Sequence, residues 1–167
     1  MNQDQPAGLG RVESAPAVKT LIVCQSVHHG NTMKVARAMA GELDAEIRTP
    51  AEVAAGDLDE FDLVGFGSGI HNQKHHASLF RLVDSLESSQ ARKCFVFSTA
   101  SICYLKMHQP LKAALESRGF QVLDQFISRG FMDFGWTKLW FGGINKGRPN
   151  EKDLDKARAF AVGLKAL

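Results

Sequence analysis

Leu21-Ile-Val-Cys24, then Ser26-Val-His-His-Gly-Asn-Thr32, then Met33 to Leu43: an apolar run, a polar loop and a helical pattern follow one another directly, and their reading decides the fold. The apolar run reads as a buried strand over Thr20–Cys24. Beyond the loop, Val35, Met39 and Leu43 recur four apart, which predicts a helix over about Asn31 to Leu43. A strand that ends in Ser, Gly, Asn and Thr and opens a helix forms a phosphate cradle. Its backbone N–H groups converge on one spot, with the positive end of the helix dipole behind them. Ser26, Asn31 and Thr32 add uncharged donors, Gly30 permits close backbone approach, and Val27, His28 and His29 complete the loop. No Lys precedes Thr32, so the ATP-type loop is absent. The plainer reading makes Asn31 and Thr32 helix N-caps and nothing more.

Apolar runs and helical patterns keep alternating along the chain. Strands are expected at Ala45–Arg48, Phe61–Gly67, Cys94–Ser98 and Phe120–Ile127. The unbroken apolar middle of Phe61–Gly67 implies burial on both sides. Helices are expected from about Ala77 to Leu86 and from Pro110 to Arg118, the latter stopped by Gly119. A last helix should start at Asn150, a good N-cap, and bury Leu154, Ala157, Phe160, Ala161 and Leu164. Strands alternating with helices imply an α/β fold, a doubly wound five-stranded parallel sheet in three layers. In such sheets ligands bind outside the carboxyl ends of the strands, at the topological switch point. The loops after strands one, three and four all emerge there.

Four phrases, in order, resemble the flavodoxin family: the loop Ser26–Thr32, Phe61-Asp-Leu-Val-Gly-Phe-Gly-Ser-Gly-Ile-His71, Lys93-Cys-Phe-Val-Phe-Ser-Thr-Ala100, and Gly143-Ile-Asn-Lys-Gly-Arg-Pro-Asn150 with the helix behind it. The resemblance covers about residues 18–166. It implies the strand order 2-1-3-4-5, an FMN cofactor and a redox function, with a low-potential electron carrier favoured. The alternative is a small flavin-dependent oxidoreductase, a quinone reductase or a protoporphyrinogen-oxidase-like dehydrogenase; Gly69-Ile-His-Asn-Gln-Lys-His-His-Ala-Ser78 is similar to the corresponding loop of that oxidase. It also implies a first ring-flanking loop of Ser68, Gly69, Ile70, His71 and Asn72, with Gly69 able to turn a peptide toward the ring. Ile70 or His71 stands where many flavodoxins stack Trp. A second ring-flanking loop holds Ser98, Thr99, Ala100, Ser101 and Tyr104, the single tyrosine and the candidate stacking ring. The partner is expected to be a redox protein or a small electron acceptor. No catalytic acid or base stands out.

The composition, 44% hydrophobic and 23% charged over 167 residues, is that of one globular domain. The domain is expected over 18–167, behind a disordered tail at 1–17. The net charge of +2 excludes a strong nucleic-acid field, and it departs from the acidity of familiar flavodoxins. Cys24, Cys94 and Cys103 form no C-x-x-C pair, which excludes a disulfide framework and fits a reducing cytoplasm. No apolar stretch reaches membrane-spanning length.

Other site types fit poorly. A receiver domain needs an acidic residue where Gly67 and Ser68 stand. A hydrolase elbow fails because Phe66 and Ile70 occupy its glycine positions. The dinucleotide motif fails at Ile70, where its last Gly belongs. A loose set of His28, His29, His71, His75 and His76 lacks an acidic or Cys ligand for a metal. Phe131 to Phe141 is rich in Phe and Trp, and reads as packing over the sheet edge or as a lid beside the ring.

Overall fold

Leu21, Ile22, Val23 and Cys24 are completely buried, as a strand covered on both faces requires. They form β1 (Thr20–Gln25), the second strand of a parallel sheet. The computed structural model describes residues 18–27, 29–87, 91–133 and 142–167. The expected tail 1–17, His28, and Phe134, Trp136, Trp140 and Phe141 lie outside the described residues.

The other strands are β2 (Glu46–Arg48), β3 (Leu63–Gly69), β4 (Lys93–Ala100) and β5 (Gln121–Arg129). All pair in parallel, in the order β2-β1-β3-β4-β5, as expected. Helix α1 (Asn31–Leu43) follows β1, α2 (Ala77–Ser85) follows β3, α3 (Gln109–Ser117) follows β4 and α4 (Glu151–Leu164) follows β5. Short 3-10 turns at Pro50–Glu52, Ala55–Glu60 and Leu105–His108 are additional to the expected elements.

Each face of the sheet carries its own core. Leu79, Leu82 and Val83 of α2 and Leu111 and Leu115 of α3 pack with Phe66 and Val96 on one face. On the other, Val35, Ala36 and Met39 of α1 and Ala157, Ala161 and Leu164 of α4 pack with Ile22, Phe95 and Phe97. Two glycines of β3 make this second face possible. A Cβ on Gly65 would collide with the Phe95 ring, and one on Gly67 would collide with the Phe97 ring. The neighbouring strand's rings occupy the space that β3 leaves vacant.

The strands run further at their carboxyl ends than their apolar runs suggest. The first polar residues there stay in the ladder, because Gln25, Ser68 and Ser98 are aligned in register and Gly69 pairs with Thr99. The start of β3 shifts as well: Phe61 ends a 3-10 turn, its N–H bonded to the Leu58 carbonyl, and Asp62 accepts from the Lys19 N–H. The register brings the ends of β1, β3 and β4 side by side, and from that edge the three loops emerge.

Candidate functional site

The loop between β1 and α1 turns through two successive left-handed residues, His29 (φ 55°) and Gly30 (φ 63°). Gly30 is the N-cap, and no side chain caps α1, so the first-turn N–H groups of the helix lack the usual Ser, Thr or Asp partner. Ser26 Oγ and Asn31 Oδ1 are buried there and make no hydrogen bond among the described residues. Buried polar atoms without partners are rare in native proteins and mark places where a ligand or water belongs. Val27 is exposed.

The loop is braced from the neighbouring strands. Thr32 Oγ1 lies 2.8 Å from Thr99 Oγ1, a buried contact between the cradle and the end of β4. Asn31 Nδ2 donates to the Phe131 carbonyl at 2.8 Å. Gly130 makes that approach possible, since a Cβ there would sit 3.1 Å from Asn31 Nδ2. His29 Nε2 stands 2.6 Å from Asp133 Oδ1, and its ring lies 4.8 Å from that of Phe131. Gly69 comes close to this brace, with Thr32 Oγ1 3.8 Å from where its Cβ would be.

After β3, the Ile70 N–H donates to the Thr99 carbonyl at 3.0 Å, and His71 and Lys74 exchange both backbone hydrogen bonds. Asn72 (φ 48°) and Gln73 (φ 62°) between them are both left-handed, the pattern of a tight type I′ turn. The second loop leaves β4 through Ala100, whose carbonyl accepts from the Gly130 N–H. Asn145 Nδ2 donates to the Ser101 carbonyl at 2.8 Å and thereby fixes the loop to the chain after β5. Beyond it, Ile102, Cys103 and Tyr104 are exposed, and the Lys106 ammonium lies 5.9 Å from the Tyr104 ring centre.

Ser68 and Ser98 differ from the expectation that they face a ligand. Both are completely buried with hydroxyls turned inward. Ser68 Oγ accepts from the His76 N–H at 2.9 Å and contacts His75 Nδ1 at 3.0 Å. Ser98 Oγ contacts His108 Nε2 at 2.7 Å. The rings of His75 and His108 meet at 4.9 Å, so the two serines and two histidines join the roots of both loops. Burial, and then the neighbouring His108, push the pKa of His75 down to about 3. Burial pushes that of His108 down to about 4, against a weaker upward pull from the Gln125 amide. Both are neutral at neutral pH. His76 plays a different part, since its ring Nδ1 accepts from the Ser78 N–H and caps α2. The histidines are thus spread over separate contacts, and no group of three metal-ligating side chains occurs among the described residues.

The structure thus brings together Ser26, Gly30, Asn31, Thr32, Gly69 and Thr99. Ile70, His71, Asn72, Ala100, Ser101 and Tyr104 form the two flanking loops. His108 and Gly130 escape a reading of the sequence, as do the contacts that His75 and Asn145 make. His75 meets Ser68 across 7 residues, His108 meets Ser98 across 10, and Asn145 meets Ser101 across 44. No local spacing signals any of these pairs.

The arrangement sets uncharged donors at the start of α1 beside the two loops that follow β3 and β4. Residues 21–128 match the family model described as a flavodoxin domain. An uncharacterized protein of Methanocaldococcus jannaschii is 43% identical over 149 residues, which is 88% of this chain and 98% of that protein. Flavodoxin 2 of Bacillus cereus superposes with a TM-score of 0.67 at 20% identity, over 89% of this chain and 98% of that one. A flavodoxin from the domain Archaea superposes with a TM-score of 0.65 at 15% identity, over 89% and 96%. The residues that build the cradle and its flanking strands lie within the matched span or directly beside it, and the chain belongs to the flavodoxin domain family.

Proposed function

We propose that this protein binds FMN at the edge formed by the ends of β1, β3 and β4, and carries electrons between other redox molecules. The observation that carries the reading is the uncapped start of α1 with Ser26 Oγ and Asn31 Oδ1 buried and unpartnered beside it. The phosphate suits the loop Ser26–Thr32. Ser26 donates a hydroxyl hydrogen, and the N-terminal N–H groups of α1 supply the remaining donors. Asn31 Oδ1 is an acceptor and suits a hydroxyl of the cofactor's sugar chain. Thr32 serves through its bond to Thr99, which holds cradle and second flanking loop at a fixed separation. Gly69, Ile70, His71 and Asn72 on one side, and Thr99, Ala100, Ser101 and Tyr104 on the other, frame the ring. Ser68 and Ser98 act as positioning residues beneath them.

When bound, the flavin supplies the redox chemistry, and the protein sets its access and potential. Tyr104 and Ile102 are exposed on the second flanking loop, which suits a carrier whose ring edge must be reached by a partner. The alternative, an FMN-dependent oxidoreductase, needs a substrate pocket over the ring.

The test is a visible absorption spectrum of the purified protein after FMN addition and desalting. Flavin bands should persist, and should disappear in an Asn31→Ala, Thr32→Ala double variant that still folds by circular dichroism. No retained flavin at high FMN concentration would overturn the reading. Stepwise reduction of the flavin-bound protein then separates one-electron carriage from two-electron enzyme chemistry.

A further inference from the structure

Charge is distributed very unevenly over this fold. Within the described parts of the loops at the carboxyl edge (26–32, 68–76, 100–108 and 129–149), Asp133 is the sole carboxylate, and His29 lies against it. The same loops carry Lys74, Lys106, Arg129, Lys146 and Arg148. Arg148 is taken up by Asp153. The other four form no ion pair among the described residues. Three carboxylates open α4 at this edge: Asp153 pairs with Arg148, and Glu151 and Asp155 share Arg158. At the opposite edge, where the strands begin, the acids are taken up: Asp57 pairs with Arg48, Asp59 with Arg92 and Glu60 with Lys19, and Asp62 accepts from the Lys19 N–H.

Apolar side chains stand exposed within the cationic rim. Ile102 is 72% exposed, Tyr104 55%, Leu105 48%, and Val27 of the cradle loop 54%. Exposed apolar groups ringed by charge are the pattern of a protein-binding face.

We infer that this edge, read as the flavin edge above, is the docking face for an acidic protein, the reverse of the charge logic of acidic flavodoxins. Two observations select the occupant. The uncompensated cations call for carboxylates, because opposite fields steer encounter and like fields suppress it. The broad exposed apolar group from Ile102 to Leu105 calls for a surface, since a small anion has no use for it.

The test uses one acceptor in two charge states: native cytochrome c, which is basic, and succinylated cytochrome c, which is acidic. Each ferric haem takes one electron and becomes ferrous, so two haems are reduced per fully reduced flavin. At low ionic strength the FMN-loaded, prereduced protein should reduce the succinylated form at least about 10-fold faster, as steering predicts. The difference should vanish at about 0.5 M salt, where the screening length is a few ångströms. A Lys74→Glu, Lys106→Glu variant with unchanged FMN retention should invert the preference. Faster reduction of the native form, or rates insensitive to salt in both, would overturn the proposal. Should the protein retain no FMN, the cofactor reading fails first. Sedimentation of the flavin-free protein with each cytochrome then decides the docking face by itself, and association with the native form alone overturns it.

Discussion

Helices α1 and α4 lie side by side on the same face of the sheet, both begin at its carboxyl edge, and their first turns are built in opposite ways. At α4, Asn150 accepts from the Asp153 N–H while the Asp153 carboxylate accepts from the Asn150 N–H. This capping box is reinforced by Arg148, which donates to both Asp153 oxygens at 2.6 and 2.7 Å. At α1 there is no box, no side-chain cap and no acidic residue in the first turn, and two buried oxygens lack partners among the described residues. One helix start is closed by its own sequence and serves stability. The other leaves its donors without a side-chain cap among the described residues. Two neighbouring elements thus set a self-capped N-terminus beside an open one, the one assigned above to the proposed phosphate site.

Acid should separate the two ends by the widest margin. His75 and His108, which root the loops beside the α1 cradle, have native pKa values of about 3 and about 4, against an ordinary 6.5. Between those limits the unfolded chain holds more protons than the folded one. Their contribution is therefore complete above pH 6.5 and declines as pH falls toward 3. At about 1.4 kcal/mol per pKa unit, the loss by pH 4 is on the order of a few kcal/mol. Asp153 behaves otherwise. Burial pushes its pKa up, but Arg148 and the Asn150 N–H outweigh this and hold it below 3.8, so the α4 box keeps its charge to lower pH than an ordinary carboxylate would. Hydrogen exchange from pH 7 to 4 should show protection lost at the ends of β3 and β4 before α4. A His108→Gln variant should flatten the pH profile of urea stability, and an unchanged profile would refute the assignment.

Removing the box tests the other end. Asn150→Ala with Asp153→Ala should cost about 3 kcal/mol in urea unfolding, from a lost cap and lost charged hydrogen bonds. FMN retention should be unaffected once the protein is folded; a loss of FMN would mean that the two ends are not separable.

Ser26→Ala is the sharper, smaller change. Its hydroxyl has no protein partner among the described residues, so the flavin-free protein should keep its stability or gain slightly. FMN affinity should nevertheless fall about 10-fold, roughly 1.4 kcal/mol, measured by fluorescence titration. A destabilised protein with unchanged affinity would make Ser26 structural. The smallest effect is expected from Gly30→Ala. Nothing lies within 4 Å of the new Cβ, so the cost is the left-handed backbone alone, about 1 kcal/mol in thermal or urea unfolding.

Much of this was legible in the sequence, for reasons that differ by element. The span of α1 follows from Val35, Met39 and Leu43, and the N-cap of α4 from Asn150, because helix periodicity and cap chemistry are local. The parallel order follows from alternation of strand and helix together with the resemblance. The strand ends were not legible. Ser68 and Thr99 look like loop residues, yet they remain in the ladder because distant groups satisfy or cover them. The inward turn of Ser68 and Ser98 depends on His75 and His108, and side-chain pairs joined through tertiary packing leave no periodic trace. Asn72-Gln73 escaped as a tight turn because Gln replaces the Gly that normally signals one. Gly65 and Gly67 looked like fragments of a nucleotide motif, while their role is to make room for Phe95 and Phe97 in the adjacent strand.

The distribution of thiols carries a practical consequence. Burial pushes Cys24 and Cys94 up to about 12, so neither offers thiolate to a reagent while the protein is folded. Cys103 is exposed and stands one residue from Tyr104. Its own pKa is raised, first by burial, so mildly alkaline medium favours its modification. The natural chain thus comes with a single addressable position at the rim of the proposed docking face. A fluorophore or spin label attached there would report arrivals at that rim without any change to the sequence.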